Sequence, residues 1–123
     1  MSGRMLRNTQ FRHIQRLFER YDVLITPTLT RSALPADFDA LNGVVEVDGQ
    51  PAGTTRQGMS PYCYPFNLTG HPALAVPSGF AGDGLPTSVQ LVGPWYRDMD
   101  LLNLGAFIEQ DRPWADRRPP ISV

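Results

Sequence analysis

The hydrophobic positions along this chain change their spacing from segment to segment. Over residues 4–21, Leu6, Ile14, Leu17, Phe18 and Tyr21 fall on a helical repeat with Gln10 among them and Phe11 beside them. Arg4, Arg12, Arg16 and Arg20 repeat on the other side, and no Gly or Pro interrupts the run. That pattern predicts an amphipathic helix. Residues 23–26, Val-Leu-Ile-Thr, have no polar alternation. They predict a fully buried, inner strand of the kind found in parallel sheets. Pro27 is expected to end it, because proline donates no ladder hydrogen bond. Two more short apolar runs follow, 73–76 between Pro72 and Pro77 and 89–92 between Pro86 and Gly93. Both predict buried strands. Their link holds Gly79, Gly82 and the turn pair Asp83-Gly84. It is too short for a parallel crossover, so the two strands should pair antiparallel. Met99, Leu101, Leu102, Leu104, Ala106, Phe107 and Ile108 predict a final helix, apolar over much of its girth. Asp98 is the expected N-cap, Asp100 suits the first turn, and the helix should end near Asp111, before Pro113.

Residues 28–61 are the least regular part, punctuated by Pro35, Asn42-Gly43, Asp48-Gly49, Pro51, Gly53 and Gly58. Residues 44–47 followed by Asp48-Gly49 predict a small hairpin arm. A loop of this length inside a compact domain is either functional or rests against something the chain lacks; the second is the expectation. A short helical turn around Phe66 and Asn67, closed by Gly70, follows. The tail 114–123 contains Pro119 and Pro120 and should be extended, with Trp114 holding it down. The expected fold class is α/β: one domain over 1–123, with its strands in one mixed β-sheet flanked by helices.

Composition narrows the function. A chain of 123 residues supports one domain with a real core. Its net charge of −1 gives no bulk attraction to nucleic acid. Arg4, Arg7, Arg12, Arg16 and Arg20 face only Glu19 in the first twenty residues. The plain reading is a solvated helix face; a docking face for an acidic partner is the next. A nucleic-acid patch ranks last, because no lysine accompanies the arginines. The whole chain contains no lysine. Cys63 is alone, so no internal disulfide can form. No apolar run approaches the roughly 18 residues of a membrane span. The N-terminus lacks the apolar region of a signal peptide. A cytoplasmic, soluble protein with no membrane or nucleic-acid partner is the expectation.

Catalytic constellations are scarce. Cys63 and His71 invite a nucleophile–base reading, yet no Asn or Asp is placed to orient the imidazole. A buried structural Cys63 is the plainer account. Ser78 sits in Val-Pro-Ser-Gly, which is not a Gly-x-Ser-x-Gly nucleophile elbow. His13 and His71 are the only imidazoles, too few and too far apart in sequence for a metal set. The glycines of 79–84 surround Asp83, which repels a phosphate. No catalytic residue, metal site or cofactor is assigned.

Several stretches together resemble the C-terminal part of amidase signature enzymes. They are Tyr21-Asp22-Val23-Leu24-Ile25-Thr26-Pro27-Thr28, Asn67-Leu68-Thr69-Gly70-x-Pro72-Ala73, Val76-Pro77-x-Gly79, Asp83-Gly84-Leu85-Pro86 and Gln90-Leu91-Val92-Gly93. The Leu-rich helix before Pro113-Trp114 is also similar, so the likeness runs from about Arg12 to Pro120. The resemblance implies a portion of a larger α/β/α fold. It also implies amide hydrolysis at carbon–nitrogen bonds other than peptide bonds, through a Ser–cis-Ser–Lys triad in the N-terminal half. The lysine starts the proton transfer, the cis-serine relays it, and the second serine attacks a carbonyl held by backbone amides. This chain has neither a lysine nor the Gly/Ser-rich run, so no catalyst carries over.

The resemblance places the residues just before Asn-Leu-Thr-Gly at the substrate pocket. Ser60, Tyr62, Tyr64 and Phe66 are therefore the pocket candidates. In tRNA-dependent amidotransferases an acidic residue stands near this place; Ser60 here points to a general amidase with a less charged amide substrate. The expected partners are an N-terminal catalytic half or a second copy of the chain, with a small-molecule amide bound only in the complete enzyme. The alternative is a non-catalytic oligomerising or partner-binding module derived from the amidase fold.

Overall fold

The computed structural model describes residues 3–118. The chain begins with helix α1, Gly3–Leu17, and then closes a turn before strand β1, Leu24–Pro27. A two-stranded arm follows, β2 at Glu46–Val47 and β3 at Gln50–Pro51. Next come the short helices α2, Thr55–Gly58, and α3, Tyr64–Thr69. Strands β4, Ala73–Phe80, and β5, Pro86–Val92, lead to helix α4, Asp98–Asp111.

The main sheet has the order β1-β5-β4, and both of its pairings are antiparallel. The α/β class, with a sheet flanked by helices, is as the hydrophobic pattern predicts, but among the described residues the sheet is antiparallel rather than mixed, because β5 runs opposite to both of its neighbours. The place of β1 also differs from the expectation. It lies at an edge, antiparallel to β5, and alternates half-buried and exposed residues. Ile25 is 60% exposed. The Val-Leu-Ile-Thr run is therefore not an inner strand. No strand pairs with its outer edge among the described residues, so one face and one edge stay open.

The prolines also behave differently from expectation. Pro77 does not end β4, and Pro86 opens β5 well before Val89. β4 is the other edge strand, where a missing N–H is tolerated. The register shifts between Pro77 and Gly79, so Ser78 bulges out. Asp98 is the first residue of α4 rather than its cap; Arg97 holds that place and makes no side-chain capping bond. Asp98 and Asp100 lie in the first turn, where the helix dipole favours them. The arm at 46–51 turns through Asp48 (φ 51°) and Gly49 (φ 73°), the positive pair that a two-residue hairpin turn requires.

Alternation along β5 divides the core into two layers. Leu91 packs with Val76 and Leu101 under α4, joined by Leu74, Val89, Leu104, Ile108 and Trp114. Val92 points the other way, to Ile14 of α1 and Phe66 of α3, with Phe18 and Leu24. Gly105 lets α4 approach β4 closely: a Cβ there would lie 2.7 Å from Leu74 Cδ2. Trp114 is the half-buried anchor after α4, and Arg117 stacks over Phe80 at 4.8 Å. The backbone closes a turn from Trp114 to Arg117 (3.0 Å), so that part of the tail is not extended. Of the start at Met1-Ser2-Gly3, which is expected to fray, Gly3 is already the first residue of α1; Met1, Ser2 and the tail at 119–123 lie outside the described residues. No helix among the described residues is long and apolar enough to cross a membrane.

Candidate functional site

The segment 60–70 is fixed from both ends. Cys63 N–H bonds to the Ser60 carbonyl at 3.1 Å, and α3 then starts with Pro65 in its first turn. Proline suits that position because its missing N–H has no helical partner there. Gly70, at φ 72°, closes the helix in the left-handed conformation that glycine adopts without strain. Gln90 of β5, 5% exposed, donates its amide to Thr26 Oγ1 at 3.0 Å and to the Tyr62 carbonyl at 3.1 Å. One buried amide thus ties this segment to two strands.

Helical spacing then separates the pocket candidates. Phe66 and Thr69 turn inward at i, i+3, and Phe66 is 6% exposed in the core against Ile14 and Val92. Tyr64 and Leu68 turn outward at i, i+4. They line an open groove of about 660 Å³ with Pro61 and Pro65. Leu6 and Gln10 of α1 and Arg56 and Gln57 of α2 form its other wall. A second recess of about 320 Å³ shares Tyr64 and Arg56 with the groove and adds Ser60. The structure therefore brings Ser60 and Tyr64 together. Tyr62 lines neither hollow and contributes its backbone carbonyl to Gln90; Phe66 is a core residue.

Sequence reasoning missed Arg56, the cation common to both hollows, and the α1 wall formed by Leu6 and Gln10. No local signal marks them, since about fifty residues separate the two walls. It also missed a buried polar cluster beside α3. His71 Nδ1 lies 2.7 Å from Thr69 Oγ1, and His71 Nε2 lies 3.1 Å from Gln15 Oε1. Thr69 Oγ1 also lies 2.9 Å from the Pro65 carbonyl, and Trp95 Nε1–H donates to the Thr69 carbonyl at 3.2 Å. The Phe11 ring stacks on His71 at 5.1 Å. His71 is 5% exposed, and this burial lowers its pKa by disfavouring the imidazolium.

No nucleophile is activated by this arrangement. Both His71 nitrogens are engaged within the cluster, and Cys63 Sγ contacts the Thr28 carbonyl at 3.4 Å. Ser78 Oγ is exposed on the β4–β5 hairpin against Thr87 Oγ1 at 3.3 Å. Among the described residues no cluster of three His, Cys, Asp or Glu side chains offers a metal site. The groove is a largely apolar surface with an aromatic ring and one guanidinium, suited to contact rather than to bond breaking.

Comparison with known proteins places this surface in context. The amidase family model matches residues 2–102. The chain belongs to the amidase family. AmiB2 of Mycobacterium tuberculosis, assigned as an amidase, is 44% identical over 109 residues, covering 89% of this chain and 22% of AmiB2. The structure of 6-aminohexanoate cyclic dimer hydrolase superposes with a TM-score of 0.77 at 30% identity, covering 98% of this chain and 27% of that one. A bacterial aryl acylamidase of the amidase signature family gives 0.73 at 29% identity, covering 94% and 24%. The chain thus spans under a third of the length of the amidases it matches.

Proposed function

We propose that this chain is the C-terminal segment of an amidase-type hydrolase, acting on carbon–nitrogen bonds of small amides together with a catalytic portion outside it. One observation carries the reading: the family match runs along 2–102, yet the chain contains no lysine to serve the triad. The Ser–cis-Ser–Lys residues and the oxyanion loop would come from the remainder of the enzyme. The segment's own part is to complete the substrate pocket. Tyr64 and Ser60 would form its wall, with Arg56 as the cation at the rim. Ser60 in place of a carboxylate fits an uncharged amide, and the similar solved enzymes act on a cyclic 6-aminohexanoate dimer and on aryl acylamides. A cytoplasmic setting goes with this role.

The open edge of β1 and the exposed Ile25 favour a segment that sits beside further strands of a larger sheet. The test supplies the missing portion. The chain is assayed on an aryl amide alone and then with an amidase N-terminal half. The expected result is no turnover alone, because loss of the base and the oxyanion donors each costs orders of magnitude in rate, and activity on mixing. Turnover by the chain alone, abolished by Cys63→Ala or Ser78→Ala, overturns the reading. Tight binding of the half without restored activity favours a partner-binding module instead.

A further inference from the structure

The face of α1 that meets the rest of the chain is built around His71. Phe11 and Gln15 of α1, and Phe18 just after it, stand at i, i+4 and i+7 on one stripe. The Phe11 and Phe18 rings lie 5.1 and 5.7 Å from the His71 ring, and Gln15 Oε1 lies 3.1 Å from His71 Nε2. That oxygen can only accept, so Nε2 carries the proton and Nδ1 accepts from the Thr69 hydroxyl. Among the described residues this is the one hydrogen bond from an α1 side chain to another element, and no α1 side chain forms an ion pair.

The anchor is confined to the later part of α1. Ile14 is its one buried residue, whereas residues 3–10 are all exposed. Leu6 and Gln10, the α1 wall of the groove, stand on that exposed arm. They lie about 14 and 8 Å along the axis from Gln15, at about 1.5 Å per residue. A tilt of about 10° about Gln15 therefore moves Leu6 by roughly 2 Å. The facing wall has no such leverage. Pro65 and Leu68 belong to α3, which Phe66 fixes in the core and whose Thr69 hydroxyl lies 2.9 Å from the Pro65 carbonyl. The chain Gln15–His71–Thr69–Pro65 thus links the two helices that wall the groove.

Ile14 alone fixes where α1 sits but not its tilt, because apolar contact has no direction. A hydrogen bond is directional, and one in a buried site is costly to leave unmade. A satisfied buried polar network holds a single arrangement where apolar packing permits several. We propose that His71 is a positioning residue for the groove. Through Gln15 it holds the tilt of α1, and so sets the gap between Leu6 and the Pro65–Leu68 wall and the size of the amide substituent that fits there. An aryl group suits the lining, since Leu6, Pro61, Pro65 and Leu68 are apolar and Tyr64 offers a ring to pack against. The choice of ligand rests on the amidase reading; the hold on α1 does not.

Two measurements test it. Amide hydrogen exchange is followed in the chain alone. Gln15→Leu removes the acceptor and should speed exchange over α1 about three- to tenfold, the weight of one hydrogen bond, with β4, β5 and α4 unchanged. His71→Phe keeps a ring against Phe11 and should do the same. Gln15→Glu keeps an acceptor oxygen and should stay near wild type. Unchanged exchange over α1 in Gln15→Leu overturns the proposal, as does an equal rise over the whole chain or a Gln15→Glu variant that behaves like Gln15→Leu. The second measurement uses the chain assembled with an amidase N-terminal half. In Gln15→Leu, KM for acetanilide should rise about three- to tenfold with little change in kcat, and KM for the wider naphthyl acetamide should rise less. KM values that stay fixed, or that rise in parallel for both amides, overturn the control of the gap. An assembly without turnover overturns the amidase reading and the aryl ligand with it, and the exchange pattern then decides alone whether His71 holds α1.

Discussion

The two faces of the three-stranded sheet are covered in different ways. Under α4 the contacts are apolar throughout: Leu91 and Val76 of the sheet meet Leu101, Leu104 and Ile108. Under α1 and α3 a smaller apolar cluster of Val92, Ile14 and Phe66 adjoins a hydrogen-bonded one, Gln15–His71–Thr69 with Trp95. The first face gains from area removed from water and tolerates small shifts. The second depends on partners standing at set distances, because a buried polar group without one is costly. The groove that holds Tyr64 opens on this second side, between α1 and α3. Candidate chemistry and polar packing therefore share a face, and the α4 face serves as support.

The largest effect should come from breaking the dry side. Leu91 is fully buried on β5, the central strand of the sheet. Leu91→Ala removes its methyl groups and leaves a cavity under α4, which should cost about 3 kcal/mol in urea unfolding. A cost below about 1 kcal/mol would mean that α4 collapses onto the sheet and that this face is loosely packed.

Breaking the polar side should cost less. Thr69→Val keeps the shape and removes the hydroxyl, leaving the Pro65 carbonyl and one His71 nitrogen without that partner. The expected loss is about 1–2 kcal/mol. Because the two sites lie on opposite faces and share no partner, Leu91→Ala and Thr69→Val should add to within about 0.5 kcal/mol. A larger coupling energy would show that the sheet transmits strain between its faces.

The same contrast explains what the sequence discloses. Apolar runs at 73–76 and 89–92 identify β4, β5 and their antiparallel pairing, because burial and turn residues act locally. β4 runs past Pro77 and β5 reaches back to Pro86, since edge position and a bulge depend on neighbours that the sequence does not display. For β1, hydrophobicity alone cannot distinguish a central strand from an edge strand. Of the pocket candidates, Ser60 and Tyr64 reach the hollows, whereas the inward turn of α3 takes Phe66 into the core. The burial of Gln90 and His71 is not legible locally, because their partners Tyr62 and Gln15 are distant in sequence. The groove's α1 wall is a tertiary product in the same sense.

The smallest effect sharpens the comparison through pH. Desolvation lowers the His71 pKa below its ordinary 6.5 in the folded chain. Between 6.5 and that lowered value, the unfolded chain binds a proton at His71 that the folded chain does not. Folding stability must then rise with pH across this window. The stabilisation is fully present above about pH 6.5 and is lost as pH falls through the folded value. Asp39 and Asp83 act in a separate, lower window. The hydrogen bonds from Asn42 to Asp39, and chiefly that from Ser32 to Asp83, hold both carboxyls below 3.8. Their loss therefore comes only under stronger acid. Urea midpoints measured from pH 7.5 down to 5 should decline in the wild-type chain and flatten in His71→Phe, which removes the titrating group and keeps a ring against Phe11. Leu91→Ala should lower every midpoint and leave the slope unchanged, because the described residues packed around Leu91 are all apolar or aromatic. A slope that survives His71→Phe would mean that the pH response arises outside the Thr69–His71–Gln15 cluster.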